Sequence, residues 1–437
     1  SLGRHFKETV ARAERRPGTE TFLRVSFKLA SAAPWAPEGH EVATAQFRVM
    51  TTERPLMHIA DDAELEISRD NGVRVSGKDF SVHFGAGSGT IDKLVYGGRT
   101  LIHGRGPEFS VYRARVSNDR YTFREWDALQ LHNMLRTVKS VSVLGPTAGC
   151  VQVLVQVNYR TPKGVELDVN TAWTVFGDGT IVSDNSIEPS GKHPRLTLGR
   201  MGFDLQVPGT FDNLRYFGHG PWENYSDRKV AADVGLYTST VAQQYVPYPK
   251  PQACGNREDV RWLTLSADDD AGLMVVADQR MSFTALHYTQ QELAARRHTC
   301  DLNSSKDVVL SIDCKQLGIG NGSCGPGPLW EHIIRPRRTD FAYALRPWNA
   351  GLKDPFDVAR PQFPVVGGVV IHNAGEGRVE LSSSDPSVEI HYTLDGSQPT
   401  PDSPVYKGES LPLSSGLEVQ AAARKMGRFG PVSTKRF

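Results

Sequence analysis

Cys150-Val-Gln-Val-Leu-Val-Gln-Val-Asn-Tyr159 puts Val, Val, Val, Val and Tyr at the odd positions and mostly polar residues at the even ones. A period of two is the signature of a half-buried β-strand, whereas a helical face would repeat about every 3.6 residues. The same alternation recurs in Val165–Phe176, Phe203–Val207, Val308–Asp313, Phe341–Leu345 and Glu418–Ala423, and in Glu20–Ala30 and Glu41–Met50. Turn signals separate these runs: Asp70-Asn71-Gly72, Gly97-Gly98, Gly177-Asp178-Gly179 and Asp395-Gly396. With 41 Gly and 27 Pro, few segments sustain a helix, and the best candidate is Gln290–Arg297. The chain reads as all-β.

Lys and Arg number 50 against 49 Asp and Glu, a net charge of +1 over 437 residues. That balance argues against a nucleic-acid binder, which shows a large positive excess or a basic stripe. Two short basic clusters, Arg12–Arg16 and Arg335–Arg338, lack interleaved aromatics and read as solvated surface. No apolar run is long enough for a membrane-spanning helix, so neither nucleic acid nor membrane is expected as a partner. Ser1–Gly18 is Arg-rich without an apolar stretch of signal-peptide type. The start at Ser1 reads as an internal fragment of a longer protein. Five cysteines (Cys150, Cys254, Cys300, Cys314, Cys324) form no C-x-x-C pair and no zinc-ligand spacing, so no metal site is expected. One disulfide within the Cys300, Cys314 and Cys324 group stays open.

Punctuation divides the chain into 1–50, a β-rich stretch; 51–64, a linker around Pro55; 65–348, a β-rich body suited to a many-stranded double sheet; 349–364, a linker with Pro355 and Pro361; and 365–437, a small immunoglobulin-like sandwich.

The P-loop, the G-x-S-x-G elbow and H-E-x-x-H are absent, and no alternating βα pattern supports a catalytic barrel. Two segments stand out. Tyr216-Phe-Gly-His-Gly-Pro-Trp-Glu-Asn-Tyr-Ser-Asp-Arg228 combines a Gly/Pro-forced loop with aromatics and charge, the composition of a sugar site: flat faces for stacking and bidentate groups for hydroxyls. The competing reading is an ion-paired plug of Glu223 or Asp227 with Arg228 or Arg257. Lys315-Gln-Leu-Gly-Ile-Gly-Asn-Gly-Ser-Cys-Gly-Pro-Gly-Pro328 permits close backbone approach but lacks the ending of a phosphate loop. It reads as a cavity-lining loop or a wide turn. Tyr245–Trp262 is a proline-stiffened strap with Arg257, Asp259 and Arg261 available for pairing. His219, His287, His298 and His332 are scattered singly.

Taken in order, Gly218-His-Gly-Pro-Trp-Glu-Asn-Tyr-Ser-Asp-Arg228, Cys254-Gly-Asn-Arg257 within Tyr245–Trp262, and Leu317-Gly-Ile-Gly-Asn-Gly-Ser-Cys-Gly325 resemble the large C-terminal domain of family 2 glycoside hydrolases of the bacterial β-galactosidase type. Tyr112-Arg-Ala-Arg-Val-Ser-Asn-Asp119 resembles that family's RAPxDND stretch, with Arg115 and Ser117 in place of its Pro and Asp. Trp35-Ala-Pro-Glu-Gly-His40 and Ala45-Gln46-Phe47 resemble the end of its preceding immunoglobulin-like domain. Val388–Thr400 with Tyr406 is similar to the C-terminal module of chitobiases and β-hexosaminidases.

The resemblance, which covers about 20–348, implies a galactose-mutarotase-like β-supersandwich for the body. It implies a parent enzyme that cleaves terminal β-galactosides with retention, its two glutamates on an upstream barrel. This chain is then expected to be non-catalytic and to shape the substrate mouth, with no catalytic residue of its own. His219, Trp222, Glu223, Arg257, Asn321, Ser323 and Cys324 are the substrate-binding candidates. Cys324 stands where the best-known members carry a sugar-stacking Trp. No cofactor is expected in this chain; the family's Mg and Na ions would take ligands upstream. The implied partners are a galactoside or other oligosaccharide, the upstream catalytic barrel and a second copy of the chain. The implied source is bacterial, with a periplasmic or secreted rather than cytoplasmic placement. The alternatives are a free-standing sugar-binding or mutarotase-like protein, with Glu223 and His219 or His298 as its acid and base, and a structural spacer.

Overall fold

The computed structural model describes residues 16–57, 64–147, 149–191, 193, 195–349, 351, 353–375, 377–383, 385–412, 418–425 and 428–437. Arg12 to Arg15 of the first basic cluster and residues 58–63 of the first linker lie outside them. Two antiparallel strands come first, β1 (Glu20–Lys28) and β2 (Glu41–Thr51). A five-stranded meander follows: β3 (Glu66–Ser68), β4 (Gly72–Ser76), β5 (Phe80–Gly85), β6 (Ile91–Tyr96) and β7 (Arg99–His103). A twelve-stranded sheet takes β8 (Glu108–Ser110), β9 (Leu135–Thr147), β10 (Cys150–Arg160), β11 (Glu166–Phe176), β12 (Ile181–Pro189), β13 (Arg200–Val207), β14 (Asn213–Gly220), β15 (Asp233–Thr240), β16 (Arg257–Ser266), β17 (Ala271–Leu286), β18 (Val308–Gln316) and β19 (Thr339–Asn349). The chain is all-β, as the period-two runs predict.

The sheet runs β15-β14-β16-β17-β19-β12-β11-β10-β9, with β18, β13 and β8 branching off β17. The branch exists because β17 is long. Its first half, Ala271–Ala277, pairs with β19, and its second half, Ser282–Leu286, pairs with β18. The meander covers the odd face of β10: Val75, Val82 and Phe84 share a core with Val151, Val153, Val155 and Trp173, and the Phe84 and Trp173 rings lie 5.8 Å apart. Burial of this kind, worth about 25 cal/mol per Å² of apolar surface, holds the two layers together.

The even face of β10 departs from the half-buried expectation, because it too is covered. The C-terminal sandwich, β20 (Val370–Gly375), β21 (Arg378–Ser382), β22 (Glu389–Thr393), β23 (Leu411–Pro412), β24 (Glu418–Lys425), β25 (Arg428–Phe429) and β26 (Ser433–Arg436), has its own core around Ile371, Val379, Val419 and Ala421. It packs Ala422, Phe429 and Val432 onto Leu154 and Ala172. Gln152 donates to the Phe429 carbonyl and accepts the Phe429 N–H, both at 2.8 Å, and Gln156 donates to Thr434 Oγ1 at 2.7 Å. The glutamines look solvent-facing in sequence and are interface residues in the fold. Arg338, expected as solvated surface, donates to Glu188 (2.6 Å) and to the Val369 carbonyl (2.8 Å), and Arg335 donates to Thr197 Oγ1 (2.8 Å).

Among the described residues three short α-helices interrupt the strands, α1 (Phe123–Leu129), α2 (Gln290–Ala295) and α3 (Pro355–Ala359), besides four single 3-10 turns. Only α2 is anticipated by the sequence. In α3 the Asp354 side chain accepts the Phe356 N–H at 2.7 Å and Pro355 opens the first turn, a capping pattern legible inside the second linker. All five cysteines are free thiols, so the disulfide left open does not form.

Asp184 on β12 fastens the incoming C-terminal segment: its Oδ2 accepts the N–H groups of Val366 (2.9 Å) and Gly367 (2.8 Å). Burial pushes its carboxyl up to about 6, against the opposing pull of those two N–H groups. A folded-state pKa above the ordinary 3.8 means the contribution to stability is full below about pH 4 and is lost as pH rises through about 6. Asp184→Asn keeps an oxygen for both donors and removes the titration. Urea unfolding should show the stability difference between about pH 4.5 and 7.5 changing by about 2 kcal/mol relative to the parent chain. An identical pH slope in the two proteins would contradict the assignment.

Candidate functional site

Four separated segments meet at one groove: Tyr112–Phe123, Gly220–Arg228, Tyr245–Arg257 and Leu317–Gly325. Arg113, fully buried, starts the assembly. It donates to the Leu317 carbonyl (2.7 Å) and to Asp119 (2.7 Å), whose other oxygen accepts the Val116 N–H (2.8 Å). Asn118 donates to the Gly320 carbonyl (2.7 Å) and accepts from the Ser323 N–H (3.1 Å) and hydroxyl. From the opposite side, Asp227 accepts the N–H groups of Ile319 (2.9 Å) and Gly320 (2.7 Å).

The glycines of the loop follow from that squeeze. A Cβ on Gly322 would meet the Asn118 carbonyl oxygen at 2.1 Å, and one on Gly318 would meet the Asp227 carboxylate at 2.8 Å. Only glycine allows the backbone so close.

The Gly220–Arg228 loop is zipped to the strap. Asn224 accepts the Glu258 N–H (2.9 Å) through its side chain, and Asn256 donates to the Asn224 carbonyl (2.8 Å). Glu223 accepts from the Gly255 N–H (2.9 Å), Arg228 (2.9 Å) and the Tyr248 hydroxyl. Burial, with the neighbouring Glu223 charge, pushes the Tyr248 hydroxyl up to about 12. Between these segments lie two cavities of about 400 and 330 Å³ that share Val116, Ser117, Lys250 and Gln252. Together they form one groove, with Arg115, Arg120 and Phe123 at one end and Glu223, Arg228 and Tyr248 at the other.

Of the seven candidate residues, Glu223 and Ser323 line this groove. Asn321 organises the loop through its backbone: its carbonyl accepts the N–H groups of Cys324 (3.1 Å) and Gly325 (2.6 Å), and Cys324 is exposed beside it. Trp222 is 71% exposed and outside the lining. Arg257 is buried, donating to Tyr216 Oη (3.0 Å) and to the carbonyls of Gly255 and Asn256. His219 lies 3.2 Å from Asp259, which also takes Lys229 at 2.7 Å. Burial works against the Asp259 charge, yet its bonds from His219 and Lys229 hold the carboxyl well below the usual range. Glu223 and His219 thus engage different partners, and His298 is exposed. The expected ion-paired plug exists as Glu223 with Arg228, not with Arg257.

Arg115, Asn118, Arg120, Lys250 and Tyr248 also line the groove, though none is among the seven candidates. The ordered recurrence of the four segments is the signal that finds them. Among the described residues no group of three or more His, Cys, Asp or Glu is placed to hold a metal ion, and no helix is long and apolar enough to cross a membrane.

Residues 76–345 match the family described as beta galactosidase small chain, and the chain belongs to that family. Residues 5–50 match beta-galactosidase, domain 4, and residues 372–433 match the chitobiase/beta-hexosaminidase C-terminal domain. Among relatives, a β-galactosidase of Priestia megaterium is 29% identical over 331 residues, 74% of this chain and 30% of that protein. One of Streptococcus thermophilus is 25% identical over 342 residues, 76% of this chain and 32% of that protein. The chain thus spans about a third of the length of these relatives. A solved putative aldose 1-epimerase of Escherichia coli K12 gives a TM-score of 0.36 at 10% identity, covering 65% of this chain and 99% of that one. Galactose 1-epimerase of Lactobacillus acidophilus gives 0.33 at 7%, covering 66% and 98%. Scores this low fix neither a shared fold nor a shared chemistry.

Proposed function

We propose that this chain is the non-catalytic, carbohydrate-binding portion of a family 2 retaining β-galactosidase, with the 112–123, 220–228, 245–257 and 317–325 groove shaping the mouth of the active site. The observation that supports it is the convergence of four separated segments, cross-linked by Asn118, Asp119, Glu223 and Asp227, on one open groove with an aromatic and polar lining. Retaining hydrolysis needs two carboxyl groups about 5–5.5 Å apart, one of them free to attack. The groove lining holds a single carboxylate, Glu223, and its oxygens are taken by Arg228, Tyr248 and Gly255. The chemistry is therefore assigned to a barrel elsewhere in the enzyme, and the division at 1–50, 51–64, 65–348, 349–364 and 365–437 belongs to the same reading, as does kinship of the body with galactose mutarotases.

The β1–β2 hairpin supports a further partner surface. Its polar face docks on β15, with Gln46 bonded to Val234 in both directions (2.8 and 2.7 Å) and Arg24 bonded to Asp233 (2.7 Å). Phe27 and Phe47 on the other face are 65% and 54% exposed. We assign that face to the rest of the same sandwich in the upstream polypeptide.

Calorimetry of the purified chain against lactose should give saturable, millimolar binding, with no hydrolysis of nitrophenyl β-galactoside. Turnover by the homogeneous chain would overturn the non-catalytic assignment, and absence of heat at millimolar lactose would overturn the sugar-binding one.

A further inference from the structure

The charges along the groove are one-sided. Its lining carries Arg115, Arg120, Arg228 and Lys250 against Glu223 alone. The Glu223 charge is matched by Arg228 at 2.9 Å. That leaves Arg115 and Arg120 at the other end and Lys250 between, lining both cavities. Among the described residues Arg120 and Lys250 are exposed and have no carboxylate within ion-pair distance. Arg115 reaches Asp127 only at 3.8 Å, with both side chains about half exposed (44% and 60%). It also lies over the Phe123 ring, 4.6 Å from its centroid, a cation–π contact at the rim of the groove. The Tyr248 side of the adjoining cavity, together with Arg115, Arg120 and Lys250 around about 400 Å³, matches a ligand that is part sugar ring and part anion.

We propose that the groove takes an acidic saccharide, a galactose unit bearing a carboxylate, sulfate or phosphate, with the anion at Arg115, Arg120 and Lys250 and the ring against the Tyr248 side. This rests on the sugar-binding reading above and narrows its ligand class. A neutral galactoside offers no counter-charge to the unpaired Arg120 and Lys250 or to Arg115 with its long, half-exposed pair. An anionic substituent supplies that counter-charge, and guanidinium contacts to such a group are charge-assisted.

The test titrates the purified chain with lactose, galacturonic acid, galactose 6-sulfate and galactose 6-phosphate, each at low and physiological salt. At least one acidic sugar should bind roughly tenfold tighter than lactose, the advantage shrinking as salt rises. The three acidic arms decide which substituent is read. In Arg120→Gln and Lys250→Gln, both at exposed positions where folding is not at stake, the ratio of acidic to neutral affinity should fall toward one. Equal affinity for lactose and all acidic sugars would overturn the proposal and leave the sugar-binding reading standing. Failure of every sugar to bind would overturn both. Inorganic sulfate or phosphate binding as tightly as the substituted sugars would also overturn the proposal, because the cations would then recognise a bare anion or an acidic protein surface.

Discussion

Arg200→Met should lower the unfolding free energy of the chain by about 3–5 kcal/mol, the largest single-residue effect expected outside the hydrophobic core. Arg200 on β13 is buried and bonds Asp313 at 2.8 Å through Nε and Asp204 at 2.6 Å through a terminal nitrogen. Ser311 donates to Asp204 (2.6 Å) and Gln316 to Asp313 (2.7 Å). Two carboxylates thus share one guanidinium in the interior, and burial pushes Asp313 up to about 6, helped by the Asp204 charge and opposed by Arg200. Removing Arg200 leaves both acids without a counter-charge. The cost should be larger near pH 8 than near pH 5, because a raised folded-state pKa lets low pH supply the missing protons. Replacing the whole triad by apolar residues should recover much of the loss. Urea unfolding at the two pH values checks each statement, and a loss below about 1 kcal/mol would show the triad is solvated.

The second large effect is local and reaches the groove. Asp227→Ala removes the acceptor of two backbone N–H groups in the Gly-rich loop, each bond to a charged acceptor being worth about 1.5–3 kcal/mol. The loop has no helix or strand of its own between Gln316 and Trp330, so nothing else local replaces those bonds. Amide hydrogen exchange over 318–325 should accelerate by about 100-fold, since each 1.4 kcal/mol is a factor of ten. Global stability should change less, because Arg113 and Asn118 still hold the loop from the other side. Sugar affinity should fall with the loop's order, and Asp227→Asn, which keeps one acceptor oxygen, should lie between. Unchanged protection at 318–325 would mean Asp227 is not the clamp.

Much of the site is legible in the chain as segments and little of it as contacts. Gly318 and Gly322 announce close backbone approach, but only the fold shows that the approaching groups are Asp227 and Asn118. Glu223 and Ser323 reach the groove, whereas Arg257, equally prominent in its motif, is turned inward to Tyr216. All three are polar residues of their motifs, and local sequence does not record which side of the backbone faces the interior. Arg120 and Lys250 carry no motif at all, and they matter because two loops 130 residues apart bring them to one rim.

The strand alternation in Cys150–Tyr159 by itself determined that this chain is a sheet protein, because a period of two follows from the geometry of the extended backbone alone. It also determined where the turns fall, since Gly at Gly72, Gly97, Gly98 and Gly396 answers a local need for positive φ. What covers each face of those strands was decided only in three dimensions. The odd face of Val151, Val153 and Val155 meets the meander, and the even face of Gln152 and Gln156 meets the C-terminal sandwich nearly 280 residues away. A glutamine in water and a glutamine bonded to a buried carbonyl have the same place in the pattern, and only the tertiary contact tells them apart.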